Sequence, residues 1–323
     1  MKFSTTLIFS ALFTAVGGFY LYLKPVEVSQ PTAPPVATPQ MLLKLKEGDR
    51  INRIRISNLK VKESVELVRK KETWFLSSPV EYPADPILSE GLSAALALSA
   101  KARRLIPEKS WEEYGLLEPS MQLEIGTEKS SERRHLLFGD PTPIGDFIFA
   151  RWEGSGDYFL VSADLRRVFD RSLYSLRLKQ VVRTPVGEIS KIQVRTANGE
   201  YTVLRRDAKW FWAAPFEISG KTLKSDGLGE MIGQLEALFI KEFLDDPREA
   251  RGSGISAASN WVKVWGKEKQ PEIIFLGSEL TTSDAFYAQR ETEKVVFLIA
   301  RGNIRSLFET FEILAHDAGY HGR

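Results

Sequence analysis

The residues closest to a chemical motif are Gly220-Lys221-Thr222, which match the last three positions of a phosphate-binding loop. The complete pattern needs a glycine five positions before Gly220, and Pro215 stands there. Without that glycine the backbone lacks the turn that wraps a phosphate group. We therefore interpret the three residues as a connection between a strand and a helix, and we expect no cofactor.

Histidines and paired carboxylates are the other candidates for catalysis or metal binding. The histidines are His135, His316 and His321, and no two of them have metal-binding spacing on a clearly predicted helix or strand. Neighbours such as Glu112-Glu113 and Asp245-Asp246 diverge on a helix or a strand, although a glycosidase pair would meet only in space. The sequence thus predicts no catalytic, cofactor or metal residues, and a carboxylate-dependent hydrolase stays an alternative.

Tryptophans could bind a ligand by stacking. Trp210 and Trp212 would share one face of a strand and could hold a sugar or a peptide there. The alternative is that these side chains pack between strands and a helix. We favour packing because Trp74 and Trp210 recur at equivalent positions of an internal repeat.

The composition of the 323-residue chain excludes several classes of protein. It has 44 basic and 42 acidic residues, so it lacks the basic excess that binds nucleic acid. It has no cysteine, which excludes disulfides, thiolate nucleophiles and cysteine-ligated metals. A charge-balanced chain of this length fits one or two globular domains.

The amino-terminal region has the pattern of a membrane anchor and a tether. Residues 5–23 carry no charge and as a helix would span about 28 Å, close to the thickness of a bilayer core. We predict an anchor over residues 1–24 that contacts lipid through residues 5–23; a cleaved signal peptide is the alternative. Residues 25–40 contain five prolines and predict a stiff linker. The expected location is the inner membrane, with the carboxy-terminal domains on the periplasmic or extracytoplasmic side.

The remainder of the chain compares well with itself. The segment 50–56 aligns with 188–194 at an offset of 138, and 74–80 aligns with 210–216 at an offset of 136. Further matches follow in the same order. We predict a first repeat over 41–178, a second over 179–315 and a tail over 316–323.

Each repeat has signals for a hairpin, a third strand and a helix. In the second repeat, strands at 192–196 and 201–206 flank Asn198-Gly199, a strong hairpin signal. In the first, Asp85-Pro86 is a helix start with apolar residues at helical spacing after it. Further strands are predicted at 120–126, 134–139, 146–153 and 157–162. The predicted class is α+β: an N-terminal transmembrane helix, then two tandem repeats of antiparallel strands packed on an amphipathic helix.

The order of these motifs resembles the bacterial DUF4340 family. The resemblance rests on the Trp74-Phe75-Leu76 block, the Pro83-Ala84-Asp85 helix start, the segment 111–116 (WEEYGL) and Phe138-Gly139-Asp140. In the second repeat, residues 245–258 replace the Tyr-Gly-Leu segment, so a function tied to it would belong to the first repeat. The resemblance implies membrane-anchored extracytoplasmic proteins of unassigned activity, often encoded beside ABC-transporter components, and it implies no catalytic residues.

These observations lead us to expect a non-enzymatic, membrane-anchored interaction module that is an accessory of an ABC-transporter-type complex. An extracytoplasmic ligand- or glycan-binding protein is the alternative. The residues expected to contact a ligand or partner are Trp111, Tyr114 and Trp212.

Overall fold

The computed structural model describes residues 40–101, 103, 104, 110–207, 209–268 and 270–321. The predicted anchor at 1–24 and all of the predicted linker except Gln40 lie outside the described residues. In the described part, no helix is long and apolar enough to cross a membrane.

Antiparallel strands dominate the chain, and they form one large sheet in each half. The strands of the first half are β1 (Gln40–Met41), β2 (Ile51–Asn58), β3 (Glu63–Lys70), β4 (Thr73–Ser78), β5 (Tyr82–Pro83), β6 (Ala100–Lys101), β7 (Arg103–Arg104), β8 (Met121–Thr127), β9 (Ser130–Pro141), β10 (Phe147–Trp152) and β11 (Tyr158–Ser162). Those of the second half are β12 (Lys191–Thr196), β13 (Gly199–Arg206), β14 (Lys209–Ala214), β15 (Ile240–Leu244), β16 (Asn260–Trp265), β17 (Glu272–Leu280), β18 (Ala285–Arg290) and β19 (Val296–Ala300).

Five helices accompany the strands of the described chain. They are α1 (Pro86–Leu98), α2 (Ala163–Phe169), α3 (Leu173–Leu176), α4 (Ser225–Glu236) and α5 (Arg301–Asp317). The predicted start of α1 is confirmed: the Asp85 side chain accepts a hydrogen bond from the Leu88 amide, and Pro86 occupies the first turn. The predicted hairpin is also confirmed, because β12 and β13 pair across residues 197 and 198.

The two sheets have the same strand order. The first runs β5-β4-β3-β2-β8-β9-β10-β11-β7 and the second runs β14-β13-β12-β16-β17-β18-β19-β15. From β4 and β14 onward, each strand of one sheet has a counterpart at the same place in the other. This order lets residues of the two halves be compared by pairing register as well as by sequence. The boundaries at 178 and 315 stay predictions.

Each half has its own core on one face of its sheet. In the first half, Ile54, Leu67 and Trp74 on the strands pack with Leu92 and Leu96 of α1. In the second half, the equivalent face is covered by α4 and α5, which also contact each other. Leu92 and Leu96 are one helical turn apart, so α1 places both in the core.

The predicted α+β class is wrong, because the structure is mostly β. Strands make up 42% of it and helices 25%. The sequence signals located a helix in each half but did not show how wide each sheet is. Strands β7 and β15, which complete the two sheets, were not predicted, and β9 is longer than the predicted 134–139. The transmembrane helix that formed part of this prediction is not among the described elements.

The connection between the halves is hydrogen-bonded to both of them. The Leu178 amide donates to the Pro83 carbonyl (3.0 Å) in the first half, and the Val181 amide donates to the Leu238 carbonyl (3.1 Å) in the second. Side chains also meet at this junction, which is centred on Arg177. The connection is therefore an ordered part of both halves.

Arg177 is the central residue of the junction, and its side chain is 1% exposed. Its guanidinium lies over the ring of Phe243 (4.4 Å to the centroid) and donates to an Asp245 carboxylate oxygen at 2.8 Å. The ring of Tyr82, from the first half, packs edge-on against Phe243 at 5.1 Å. Such a buried cation needs its carboxylate partner, because an unpaired charge is costly away from water.

Candidate partner-binding surface

Trp111 and Tyr114 lie on a short 3-10 turn (Glu112–Tyr114) that precedes β8. The turn ends at Gly115, whose φ of 64° is in the left-handed region that favours glycine. The Leu116 amide then donates to the Trp111 carbonyl at 2.8 Å, and the Leu116 side chain is fully buried. These contacts fix the segment against the face of the first sheet opposite to the core, here called the outer face.

The turn lies directly on β9 at Gly139. A Cβ atom added at Gly139 would lie 2.2 Å from the Tyr114 carbonyl oxygen, so only glycine permits this approach. A Cβ atom added at Gly115 would in turn lie 2.6 Å from the carboxylate carbon of Asp140. The Tyr-Gly-Leu and Phe-Gly-Asp motifs are therefore two sides of one packing contact.

The second half keeps this contact without the aromatic side chain. A Cβ added at Gly277 would lie 2.0 Å from the Ser253 carbonyl oxygen, and the Ser278 amide donates to that oxygen at 2.6 Å. Gly254, with a φ of 69°, stands where Gly115 stands in the first half. The segment expected to be a replacement thus preserves the backbone arrangement, with Ser253 in place of Tyr114.

The region that contains the first of these contacts matches a known family. Residues 74–257 match the family described as a domain of unknown function (DUF4340), which is more than half of the chain. The chain belongs to the DUF4340 family. Comparison with curated proteins and with solved structures gave no match. The matched region of this DUF4340 protein begins in β4 of the first half and ends beside Gly254 in the second.

The first half of the DUF4340 protein carries a row of aromatic side chains on its outer face. The Trp111 ring lies over the Arg151 guanidinium (4.4 Å), and the Tyr114 ring contacts Phe149 (centroids 4.4 Å apart). Phe147 is two residues from Phe149 on β10 and faces the same way. We call Trp111, Tyr114, Phe147 and Phe149 the aromatic strip.

The aromatic strip is partly open to solvent. Trp111 is 36% exposed and Phe147 is 38% exposed, while Tyr114 is half-buried. In the second half, Ala285 pairs with Ala300 at the position that Phe147 occupies opposite Ser162, and Ala285 is fully buried. At this position, therefore, the first half has an exposed ring and the second half has a buried methyl group. Sequence reasoning missed Phe147 and Phe149, although their alternation along β10 was a usable signal.

Trp212, the third residue expected to contact a partner, is not part of this surface. It is 2% exposed and packs in the core of the second half together with Trp210, while Trp74 packs in the core of the first half. The structure thus brings Trp111 and Tyr114 together and separates Trp212 from them. A buried indole packs against the sheet and helices and offers no ring to a partner.

The outer face of β2, β3 and β8 carries a charged cluster instead of aromatic residues. Glu66 is 6% exposed and accepts hydrogen bonds from Arg53 (2.5 Å), Arg55 (3.1 Å) and Ser77 (2.5 Å). Burial alone would raise the pKa of the Glu66 carboxyl, but these hydrogen bonds outweigh it and lower the pKa to about 2. The neighbouring carboxylate, Glu124, pairs with Arg55 and with Arg133.

The other residues that the sequence offered for catalysis or metal binding make structural contacts. The Lys221 ammonium donates to the Ala318 carbonyl, and Thr222 bridges to β14, so this segment joins β14 to α4. His135 contacts Gln122 at 2.6 Å and Glu153 at 3.1 Å. Among the described residues, no group of three or more His, Asp or Glu side chains could hold a metal ion.

Proposed function

We propose that this DUF4340 protein is a non-enzymatic interaction module that docks on a membrane complex through the aromatic strip. The observation that supports it most is the exposure of Trp111 and Phe147 on a rigid strand-and-turn support. Exposed aromatic residues beside an arginine are typical of the residues that contribute most to protein–protein binding. The apolar run at 5–23 supports a membrane location. The family resemblance supports the periplasmic or extracytoplasmic side and an ABC-transporter-type partner.

The arrangement of the strip suits docking because its parts are held in place. The Arg151 side chain donates to the Leu116 carbonyl at 3.4 Å while it supports the Trp111 ring. The Tyr114 ring also contacts Tyr158, with centroids 5.0 Å apart. Rings that are already ordered lose little conformational entropy when a partner covers them.

The test is affinity purification of the full-length protein from detergent-solubilised membranes, after mild crosslinking. Wild type should recover integral membrane proteins, and the double variant Trp111→Ala/Phe147→Ala should recover at least about tenfold less of them. Phe216→Ala is the matched control, because Phe216 is 90% exposed and lies in the second half.

Two results would count against this function. If wild type recovers no specific membrane protein, the docking function is wrong. If wild type recovers a partner and the double variant recovers as much, the partner docks elsewhere and the aromatic strip is not the site. The circular dichroism spectrum of each variant should match that of wild type, because none of the three substituted side chains is in a core.

A further inference from the structure

The outer face of the second sheet has a different chemistry from that of the first. On two neighbouring inner strands, β12 and β16, outward side chains face each other in three pairs. These pairs are Lys191 with Trp265, Gln193 with Lys263, and Arg195 with Trp261. We call these six residues the Lys–Trp face.

The cations of this face are held over the indole rings. The Lys191 ammonium lies 4.1 Å from the centroid of Trp265, and the Lys263 ammonium lies 4.1 Å from that of Trp261. The Arg195 guanidinium also lies over Trp261, at 5.4 Å. An indole attracts a cation through its ring face and restricts where the long side chain can lie. The face therefore presents ordered positive charges rather than freely moving ones.

Comparison with the first half shows that two carboxylates are absent from this face. The pairing registers make Lys263 the counterpart of Glu124 and Thr202 the counterpart of Glu66. In the first half those two carboxylates neutralise the arginines around them. In the second half a hydroxyl and a cation stand in their places.

The same registers show where the aromatic rings come from. Trp265 is the counterpart of Gly126, and Trp261 is the counterpart of Gln122. The second half thus has two indoles where the first has a glycine and an amide, on the same fold. Neither tryptophan was among the residues expected from the sequence to contact a ligand or partner.

Two of the three cations have no carboxylate partner among the described residues. Arg195 pairs with Glu200 at 2.9 Å, but no carboxylate of the described chain lies within ion-pair distance of Lys191 or Lys263. Both lysines are partly exposed. Uncompensated positive charges on a flat surface attract an anionic ligand.

We propose that the Lys–Trp face binds an anionic glycan, with Lys191 and Lys263 pairing with its carboxylates or phosphates. Trp265 is half-buried and offers part of its ring to the C–H face of a sugar, beside the Gln193 side chain, whose amide donates to Glu200. This binding site is additional to the aromatic strip and does not depend on it.

Other anionic partners fit the face less well. An extended peptide binds a sheet by adding a strand at its edge, and β12 and β16 are the third and fourth strands of eight. A lipid surface is bound through protruding aromatic side chains, and Trp261 is only 8% exposed. A flat, charged, indole-bearing surface suits a polysaccharide chain that lies across it.

The test measures binding of the full-length protein in detergent to immobilised polygalacturonate, with dextran as the neutral glycan and polyglutamate as the acidic peptide. We expect binding to polygalacturonate alone, weakened at high salt because salt screens exposed charges. Lys191→Gln/Lys263→Gln should weaken it about tenfold, equivalent to about 1.4 kcal/mol. Lys60→Gln/Lys294→Gln removes the same charge from exposed positions elsewhere and should bind as wild type does.

Three results would overturn the proposal. They are no binding to polygalacturonate, equal binding to polyglutamate, and equal loss in the two lysine double variants, which would indicate a general effect of net charge. Trp265→Leu provides an independent check, since it should weaken glycan binding while the aromatic-strip partner is still recovered. Loss of that partner through Trp111→Ala/Phe147→Ala should in turn leave glycan binding unchanged, so the two functions can fail separately.

Discussion

Replacement of Glu66 by glutamine tests whether the charged cluster of the first sheet stabilises the fold. The carboxylate is almost fully buried and holds two guanidinium groups and a hydroxyl. Glu66→Gln keeps the size of the side chain and removes the charge. The amide nitrogen of the glutamine would also point its N–H groups at the arginine and serine donors that now bond to the carboxylate. We expect the variant to fold with a lower free energy of unfolding.

The magnitude follows from the pKa of Glu66. The folded protein lowers this pKa from 4.5 to about 2, which corresponds to about 3 kcal/mol of stability. Because the folded pKa is depressed, this stability is fully present above pH 4.5. It is lost progressively as the pH falls from 4.5 towards 2, where the folded carboxylate also takes up its proton.

The assay is urea unfolding of the full-length protein in detergent, followed by tryptophan fluorescence at several pH values. At pH 7, Glu66→Gln should lower the unfolding free energy by about 3 kcal/mol, and the difference from wild type should shrink below pH 4.5. Glu200→Gln is the control. Its side chain is 34% exposed and its partner Arg195 is 50% exposed, so the loss should be below about 1 kcal/mol.

A wild-type protein and a Glu66→Gln variant with the same stability profile between pH 5 and pH 2 would refute the reasoning. Equal losses for Glu66→Gln and Glu200→Gln would refute it as well, because burial is what distinguishes the two carboxylates.

Further substitutions test the packing contacts by the same urea assay. Gly139→Ala should lower the free energy of unfolding by about 1–3 kcal/mol, because the added Cβ meets a carbonyl oxygen. Gly91→Ala is the matched control in α1: open space surrounds this position, so the variant should raise the free energy of unfolding by about 0.5–1 kcal/mol. Asp245→Asn should lower the free energy of unfolding by about 1–3 kcal/mol, because it removes the charge that pairs with the buried Arg177 guanidinium, and Arg177→Met should cost less. Trp212→Ala should cost about 3–5 kcal/mol, and a loss below 1 kcal/mol would show that this indole is not a core residue.

Local signals in the sequence were sufficient to predict individual elements. Asp85-Pro86 and Asn198-Gly199 determine a helix start and a hairpin through contacts within a few residues, and both lie where predicted. The class was wrong because it depends on distant pairings. Strand β15, for example, completes the second sheet by pairing with β19, more than fifty residues later.

The candidate binding surfaces show the same limit. Trp210 and Trp212 occupy alternate positions of β14 and face the core. On β16, Trp261, Lys263 and Trp265 also occupy every second position, but they face outward. Period-two alternation shows that such residues share a face, but it does not show which face is buried. That depends on which side of the sheet the helices cover, and this is settled only when the whole half has folded.

The hydrogen-bonded connection between the halves has a mechanical consequence. Leu178 and Val181 bond to opposite halves, so the chain between them is a joint rather than a flexible tether. The aromatic strip and the Lys–Trp face are on different halves, and the contacts around Arg177 restrict how the two halves can move apart. If both proposed sites are occupied, the two ligands are brought together at a higher effective concentration than a long flexible linker between the halves would give.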